Sequence, residues 1–506
     1  MFNYVTSGGV RGIGGFLVKV EADISAGMPM FELVGYLGSE VREAGQRVRT
    51  AMKNSGYEMP LSRITVNLAP ADVRKQGTGY DLPIALSILS CMGIVPRNSL
   101  DMVFIAGELM LSGSICKING VLPMILEAKR QGLKKCIIPS ENQAEGRMVD
   151  EIEVIGVSSL KEVVEYLNDK IVIQPYESCI NSELCKPKYY ENDFSNVRGQ
   201  QLARRGIEIG AAGLHNILMS GPPGAGKTML AKCIPSIMPP MSEEESLEVS
   251  SIYSVRGAIS PEDIMITTRP FVAVHNTASD IALIGGGNFP KPGAVSMADK
   301  GILFLDEFPE FSRKALESLR QPLEDRKVNI TRSRDICTFP ADFMLVAAMN
   351  PCPCGYYPDR NKCTCSETVR RRYMAKISGP LLDRIDISIT TNRINAMSLG
   401  NSIQAESSDE IRTRVIKAHQ IQKDRFKNRN ISFNSQMNNE DINRYCQMTV
   451  TAQNMLNEMA ERMDMSARTY YRILRVARTI ADMNGHAKLD ADDIAEAIRF
   501  KMNISE

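Results

Sequence analysis

No apolar run in the chain approaches the ~18 to 20 residues that a membrane-spanning helix needs. Residues 1–16 also lack a charged segment followed by a long apolar one. Export is therefore not expected, and a soluble cytoplasmic protein is. Net charge is nearly absent, with 60 Lys plus Arg against 59 Asp plus Glu and a balance of +1. Bulk charge cannot draw the whole molecule to a polyanion, so any nucleic-acid contact has to be local. Tryptophan is missing, whereas Met reaches 28 and serves to fill irregular cores. Disorder over most of the length is excluded by 43% hydrophobic and 24% charged residues. The 12 cysteines, spread along a chain with no export signal, read as reduced thiols apart from one cluster. At ~100 to 200 residues per domain, 506 residues suggest roughly three domains.

Residues 1–170 mix short β-branched runs (64–68, 103–106, 136–139) with helical patterns (82–89, 122–129), which predicts an α/β or α+β domain. Residues 171–193, with Pro175 and Pro187, read as a linker. Over 194–393, strand-like segments alternate with amphipathic helices, the pattern of a parallel sheet covered on both faces. Residues 394–506 turn helical and polar and read as a small helical domain.

The clearest chemical signal is Gly221-Pro222-Pro223-Gly224-Ala225-Gly226-Lys227-Thr228, a P-loop that follows the strand-like Ile217-Leu218-Met219 and precedes a helical pattern. Its glycines let backbone N–H groups curl around the phosphates of ATP. Lys227 supplies a point charge, and the Thr228 hydroxyl suits Mg²⁺. Gly301-Ile302-Leu303-Phe304-Leu305-Asp306-Glu307 then ends a buried strand in two carboxylates: Asp306 to hold Mg²⁺ and Glu307 to orient and deprotonate the attacking water. A third strand, 344–349, ends at Asn350, whose neutral amide could position the same water.

The order of P-loop, Asp-Glu strand and Asn-tipped strand resembles the AAA+ ATPases, with Asn350 at the sensor 1 position. The resemblance implies that Arg384, in Leu381-Leu382-Asp383-Arg384-Ile385-Asp386, reaches a neighbouring subunit's nucleotide. The alternative is a local pair with Asp383 or Asp386. It also makes 467–483 the sensor 2 helix, with Arg468 as its arginine and Arg475 as second choice. From the residues alone, the face bearing Arg468, Arg472 and Arg475 is a solvated one.

Over nearly its full length the sequence resembles the magnesium-chelatase-like AAA+ proteins of the YifB/ComM type. The resemblance is carried by Asn196-Val197-Arg198-Gly199-Gln200, Gly285-Gly286-Gly287 through Pro292-Gly293, Phe304-Leu305-Asp306-Glu307-Phe308-Pro309-Glu310-Phe311, and Met349-Asn350-Pro351-Cys352-Pro353-Cys354-Gly355. It implies an α/β protein with a P-loop AAA+ parallel-sheet core, an N-terminal Lon-protease-like (S5-type) α+β domain and a C-terminal helical lid. It further implies a homo-oligomeric ring, expected to be a hexamer. The function implied is an ATP-driven helicase that moves DNA branch points when incoming single strands recombine in natural transformation. The other function class it implies is a chelatase-like ATPase that remodels a partner protein for metal insertion. That class is disfavoured if chelatase subunits lack the first domain.

Two departures stand out. Family members commonly carry His-His-Thr where this chain has His275-Asn276-Thr277, and an acidic residue where it has Ala294. Both are expected in an insert directed at the ring's pore, leaving the hydrolytic residues untouched. In the Lon-like domain, Gly79 and Leu122 occupy the positions of the nucleophilic Ser and the Lys base, so proteolysis is not expected. Thr78 and Lys129 are out-of-register substitutes.

Cys352, Cys354, Cys363 and Cys365 form a C-x-C…C-x-C group that can close on a structural Zn²⁺, with free thiols or redox pairing as the other reading. Candidate DNA-phosphate contacts, free of sequence preference, are Lys291, Arg332, Arg334 and Arg370-Arg371-Arg372, each of which can equally be an ordinary solvated charge.

Overall fold

Alternating side chains set the first sheet. In Arg63–Ala69, Ile64, Val66 and Leu68 are buried while Arg63 faces solvent, the period-2 pattern of a strand with one covered face. The computed structural model describes residues 2–176, 190–260, 265–287, 290–332, 335–359, 361–393 and 405–502, the side chains of 332, 335, 336 and 502 aside. It places this strand in a seven-stranded mixed sheet. The strands are β1 (Phe2–Arg11), β2 (Gly14–Ser25), β3 (Met30–Val34), β4 (Arg63–Ala69), β5 (Val103–Ile105), β6 (Lys135–Pro139) and β7 (Glu153–Val157), in the order β3-β4-β2-β1-β5-β6-β7. β1, β2 and β4 pair antiparallel, and β5, β6 and β7 parallel. Helix Asp81–Cys91 is buried at every position, and Ala44–Asn54 adds Val48, Ala51 and Met52 to the same core.

Helix Glu243–Arg256 starts at a Ser242/Glu245 capping box. It sends Leu247 and Tyr253 onto a cluster of Leu122, Ile125 and Met265 beside β6. Residues Met1–Pro187 and Ser242–Thr267 thus form one compact unit, and Lys188–Met241 with Thr268–Glu506 form the other. Residues 242–267 fall within the expected ATPase interval 194–393 yet fold with the first unit. The helical region shares a unit, and a hydrophobic cluster, with the ATPase sheet. Most of the expected linker, residues 177–189, lies outside the described residues.

The second unit is built on five parallel strands: β8 (Ile217–Ser220), β9 (Phe271–Val274), β10 (Ile302–Leu305), β11 (Met344–Met349) and β12 (Ile387–Thr390), ordered β9-β10-β11-β8-β12. β10 and β11 are buried at every residue, as central strands covered on both faces must be. One face (Ile302, Phe304, Val346, Ala348) packs on Leu230 and Ile234 and on the lid residues Val415, Ile473 and Ala477. The other (Leu303, Leu305, Leu345, Ala347) packs on Phe308, Leu316 and Leu381. This is the AAA+ fold. Because the strands are parallel, the carboxyl ends of β8, β9, β10 and β11 all open on one edge, where such sheets bind ligands. No helix among the described residues is long and apolar enough to cross a membrane.

Candidate active site

Four strand ends meet in one cavity of about 730 Å³. β8 runs into the P-loop, where Gly226 adopts a left-handed conformation (φ +82°) and caps helix Lys227–Ile237, a geometry that a residue without Cβ takes at little cost. Lys227 Nζ donates to the carbonyls of Gly221 (2.6 Å) and Pro222 (3.0 Å) and to Asn350 Oδ1 (3.1 Å). Its surroundings are neutral acceptors, so the ammonium is held ready for an anion. Desolvation lowers its pKa, with Asp306 acting against that. At the end of β10, Asp306 Oδ2 accepts from the Thr228 hydroxyl at 2.9 Å. These two oxygen groups are hard donors of the kind Mg²⁺ prefers. Pro223, Gly224, Ala225, Gly226, Lys227, Thr228, Asp306, Glu307 and Asn350 all line the cavity.

Glu307 is a non-glycine residue at φ +50°, a strained conformation of the kind that persists where the surroundings enforce it. Its N–H donates to Asp306 Oδ1 (2.9 Å), and its Oε2 accepts from Asn276 Nδ2 (2.7 Å). Here the expectation is corrected. β9 lies beside β10 with Val274 opposite Leu305, so the chain after β9 brings Asn276 to the Glu307 carboxylate and His275 to the same cavity. Ala294, the other departure, starts the short helix Ala294–Met297 and packs against the core. A second cavity of about 380 Å³, lined by Asn196, Val197, Arg198 and Gln200, adjoins the P-loop at Ala225 and Gly226. Gln200 Nε2 bridges the Ala225 carbonyl (3.2 Å) and that of Asn392 (2.5 Å).

Comparison with known proteins bears directly on this arrangement. The family described as "Magnesium chelatase, subunit ChlI" matches residues 193–399, "Subunit ChlI of Mg-chelatase" matches 20–142, and "Magnesium chelatase, subunit ChlI C-terminal" matches 405–501. Competence protein ComM of Haemophilus influenzae is 39% identical over 494 residues, 97% of this chain and 95% of the relative. The chain belongs to the YifB/ComM-type magnesium-chelatase-like AAA+ ATPases. Uncharacterized protein YifB of Escherichia coli is 37% identical over 489 residues, 96% of this chain and 94% of the relative. Lon protease 2 of Bacillus subtilis is 29% identical over 178 residues, 32% of this chain and 31% of the relative. ComM-type membership implies ATP and Mg²⁺. The match at 20–142 also removes one expectation: the first domain does not separate the ComM-type from the chelatase reading.

Arg384 and Arg468 lie outside the P-loop cavity. They line a separate one of about 500 Å³, together with Arg326, Arg472 and Arg475 and the acids Glu324 and Asp386. Arg384 pairs with Glu324 rather than with Asp383 or Asp386, and Arg468 Nη2 donates to the other oxygen of Glu324 at 2.9 Å. Partial burial pushes the Glu324 carboxyl up, but Arg384, Arg468 and Arg472 outweigh it and hold the group below its usual range. Arg472 pairs with Asp386 at 2.7 Å. The buried Nε atoms of Arg384, Arg472 and Arg475 have no hydrogen-bond partner among the described residues. The basic face of helix Ala467–Asn484 is therefore a cavity wall, not a merely solvated surface.

The sulfurs of Cys352, Cys354, Cys363 and Cys365 lie within 4.8 Å of one another, and Cys352 is buried. Lys291 is exposed on the hairpin formed by Gly285–Gly286 and Lys291–Pro292. Arg332 ends the first strand of a second hairpin, Lys327–Arg332 with Asp335–Pro340, and Arg334 lies outside the described residues. Arg370 stacks on Tyr357 at 3.9 Å and is half-buried, while Arg371, paired with Glu367, and Arg372 are exposed. In the first unit Leu122 is fully buried. Thr78 donates to Glu108, while Lys129 pairs with Glu151, so the two substitutes for a proteolytic pair have separate partners.

Proposed function

We propose that this chain is a cytoplasmic, ring-forming ATPase motor, expected as a hexamer, that acts on single-stranded or branched DNA without sequence preference and drives branch migration. One observation carries the reading. Among the described residues the P-loop cavity has no arginine in its lining, while the 500 Å³ cavity concentrates five. Phosphoryl transfer requires cationic stabilisation of the charge that builds up on the phosphoryl group. A site completed by a second copy's Arg384 and Arg468 supplies it.

In this reading the P-loop amides and Lys227 grip the β- and γ-phosphates, and Thr228 and Asp306 hold Mg²⁺. When bound there, Mg²⁺ would supply charge compensation for the phosphate oxygens. Asn276 fixes one oxygen of Glu307, and the other takes the proton of a water that Asn350 aligns. The hairpin bearing the exposed Lys291 and the hairpin whose first strand ends at Arg332 are the proposed DNA contacts, and the name of the relative ComM, a competence protein, supports DNA as the substrate. Cys352, Cys354, Cys363 and Cys365 are proposed to hold a structural Zn²⁺.

A synthetic four-way junction is the test substrate. Wild type should separate it with ATP, while Lys227→Ala and Glu307→Gln should not, although Glu307→Gln should still bind ATP because only the base is lost. Changing Lys291 and Arg332 to Ala should abolish DNA stimulation of hydrolysis. The chelatase-family descriptions of all three matched regions favour a second reading, a remodeller of a metal-inserting partner. Turnover that ignores DNA but rises with a large integrin-like partner protein decides for it.

A further inference from the structure

We infer that the metal held by the four cysteines is a clamp on the nucleotide site, fixing Asn350 and the P-loop in register; this rests on the zinc assignment proposed above. The sulfur array comes first. Cys352 and Cys354 stand 3.3 Å apart, Cys352 and Cys363 3.8 Å, and Cys354 and Cys363 3.6 Å. Zn–S bonds of about 2.3 Å place tetrahedral thiolates about 3.8 Å apart, whereas a disulfide brings its sulfurs to about 2.05 Å. The spacing is that of ligands around one soft divalent ion.

The position of the array comes second. Cys352 follows the end of β11 by only three residues, with Asn350 between. The chain then turns at Gly355 (φ +84°), whose N–H donates to the Cys352 carbonyl at 2.9 Å. A Cβ placed on Gly355 would lie 2.6 Å from Pro223 Cδ and 3.8 Å from Asn350 Cγ. The cysteine loop thus presses directly on the P-loop and on the residue that meets Lys227 Nζ. Among the described residues, no apolar side chain between 353 and 366 is buried, so the loop has no core of its own to order it. The Tyr357 N–H directed at Cys352 Sγ (3.5 Å) also fits an amide donating to a metal-bound thiolate.

Full-length protein purified with reductant and without chelator is assayed for metal by mass spectrometry. About one zinc per chain is expected. Cys363→Ser with Cys365→Ser, at the end of the loop remote from Asn350, should lose the metal, lose amide-exchange protection over residues 350–357, and lower kcat about tenfold. Gly355→Ala should keep the metal and still lower kcat, because contact rather than zinc is disturbed. If the double variant fails to fold, wild type stripped with a mercurial and refilled decides instead: zinc with thiol must restore kcat, and thiol alone must not. Metal-free wild type with four freely titrating thiols overturns the site. A metal-free variant hydrolysing ATP at the wild-type rate overturns the clamp. Neither result touches the ring-motor reading, which the junction assay tests separately.

Discussion

At the scale of single residues, Asn276 is the side chain whose role depends most on three-dimensional placement. Its amide holds Glu307 at 2.7 Å, so Asn276→Ala should lower kcat about tenfold while ATP affinity changes less than about threefold, as steady-state kinetics with a nucleotide-binding assay can check. Glu324 is comparable, for it bridges Arg384 and Arg468. Glu324→Ala should leave ATP binding intact and reduce turnover about tenfold, since two guanidiniums lose their common anchor. The sequence made Lys227, Thr228, Asp306, Glu307 and Asn350 legible because their chemistry is local: glycines around a phosphate and carboxylates or an amide at the end of an apolar strand. Asn276 and Glu324 carried no such mark. Each matters only through a neighbour 31 or more residues away, fixed by strand pairing or by lid packing.

At the scale of elements, the parallel sheet was readable from uninterrupted apolar runs such as Met344–Met349, and the sensor-like helix from its 3.6-residue periodicity. Helix Glu243–Arg256 folds with the first unit although it lies within the ATPase interval of the sequence, and its cap and sequence are those of a helix in any domain. What sends it to the first unit is the fit of Leu247 and Tyr253 to a cluster that the local sequence cannot reveal. Lid helix Ser408–Arg425 carries a measurable pH signature. His419 is stacked on Phe433 at 4.5 Å, and burial, reinforced by Lys423 and Arg269, pushes its pKa down to about 3. The unfolded imidazole takes up a proton near pH 6.5, the folded one near 3, so the unfolded state binds more protons between these values. Stability is therefore intact above about pH 6.5 and falls below it, by up to about 1.4 kcal/mol per pH unit. Urea midpoints at pH 7.5, 6.0 and 5.0 should decline more steeply in wild type than in His419→Leu.

At the scale of the whole molecule, the chain crosses from the ATPase unit at 242 and returns at 268, so one polypeptide threads both units more than once. In the proposed function the catalytic groups are shared between two copies, the P-loop cavity of one and Arg384 of the other. Mixing Lys227→Ala with Arg384→Ala tests this most directly. The first variant keeps its arginines and the second keeps its P-loop, so in mixed assemblies an intact P-loop meets an intact Arg384. Each variant alone should hydrolyse ATP at less than about one hundredth of the wild-type rate, and mixing should raise the rate at least about tenfold. Full activity in Arg384→Ala alone, or no recovery on mixing two folded and assembled variants, would contradict a site shared between copies.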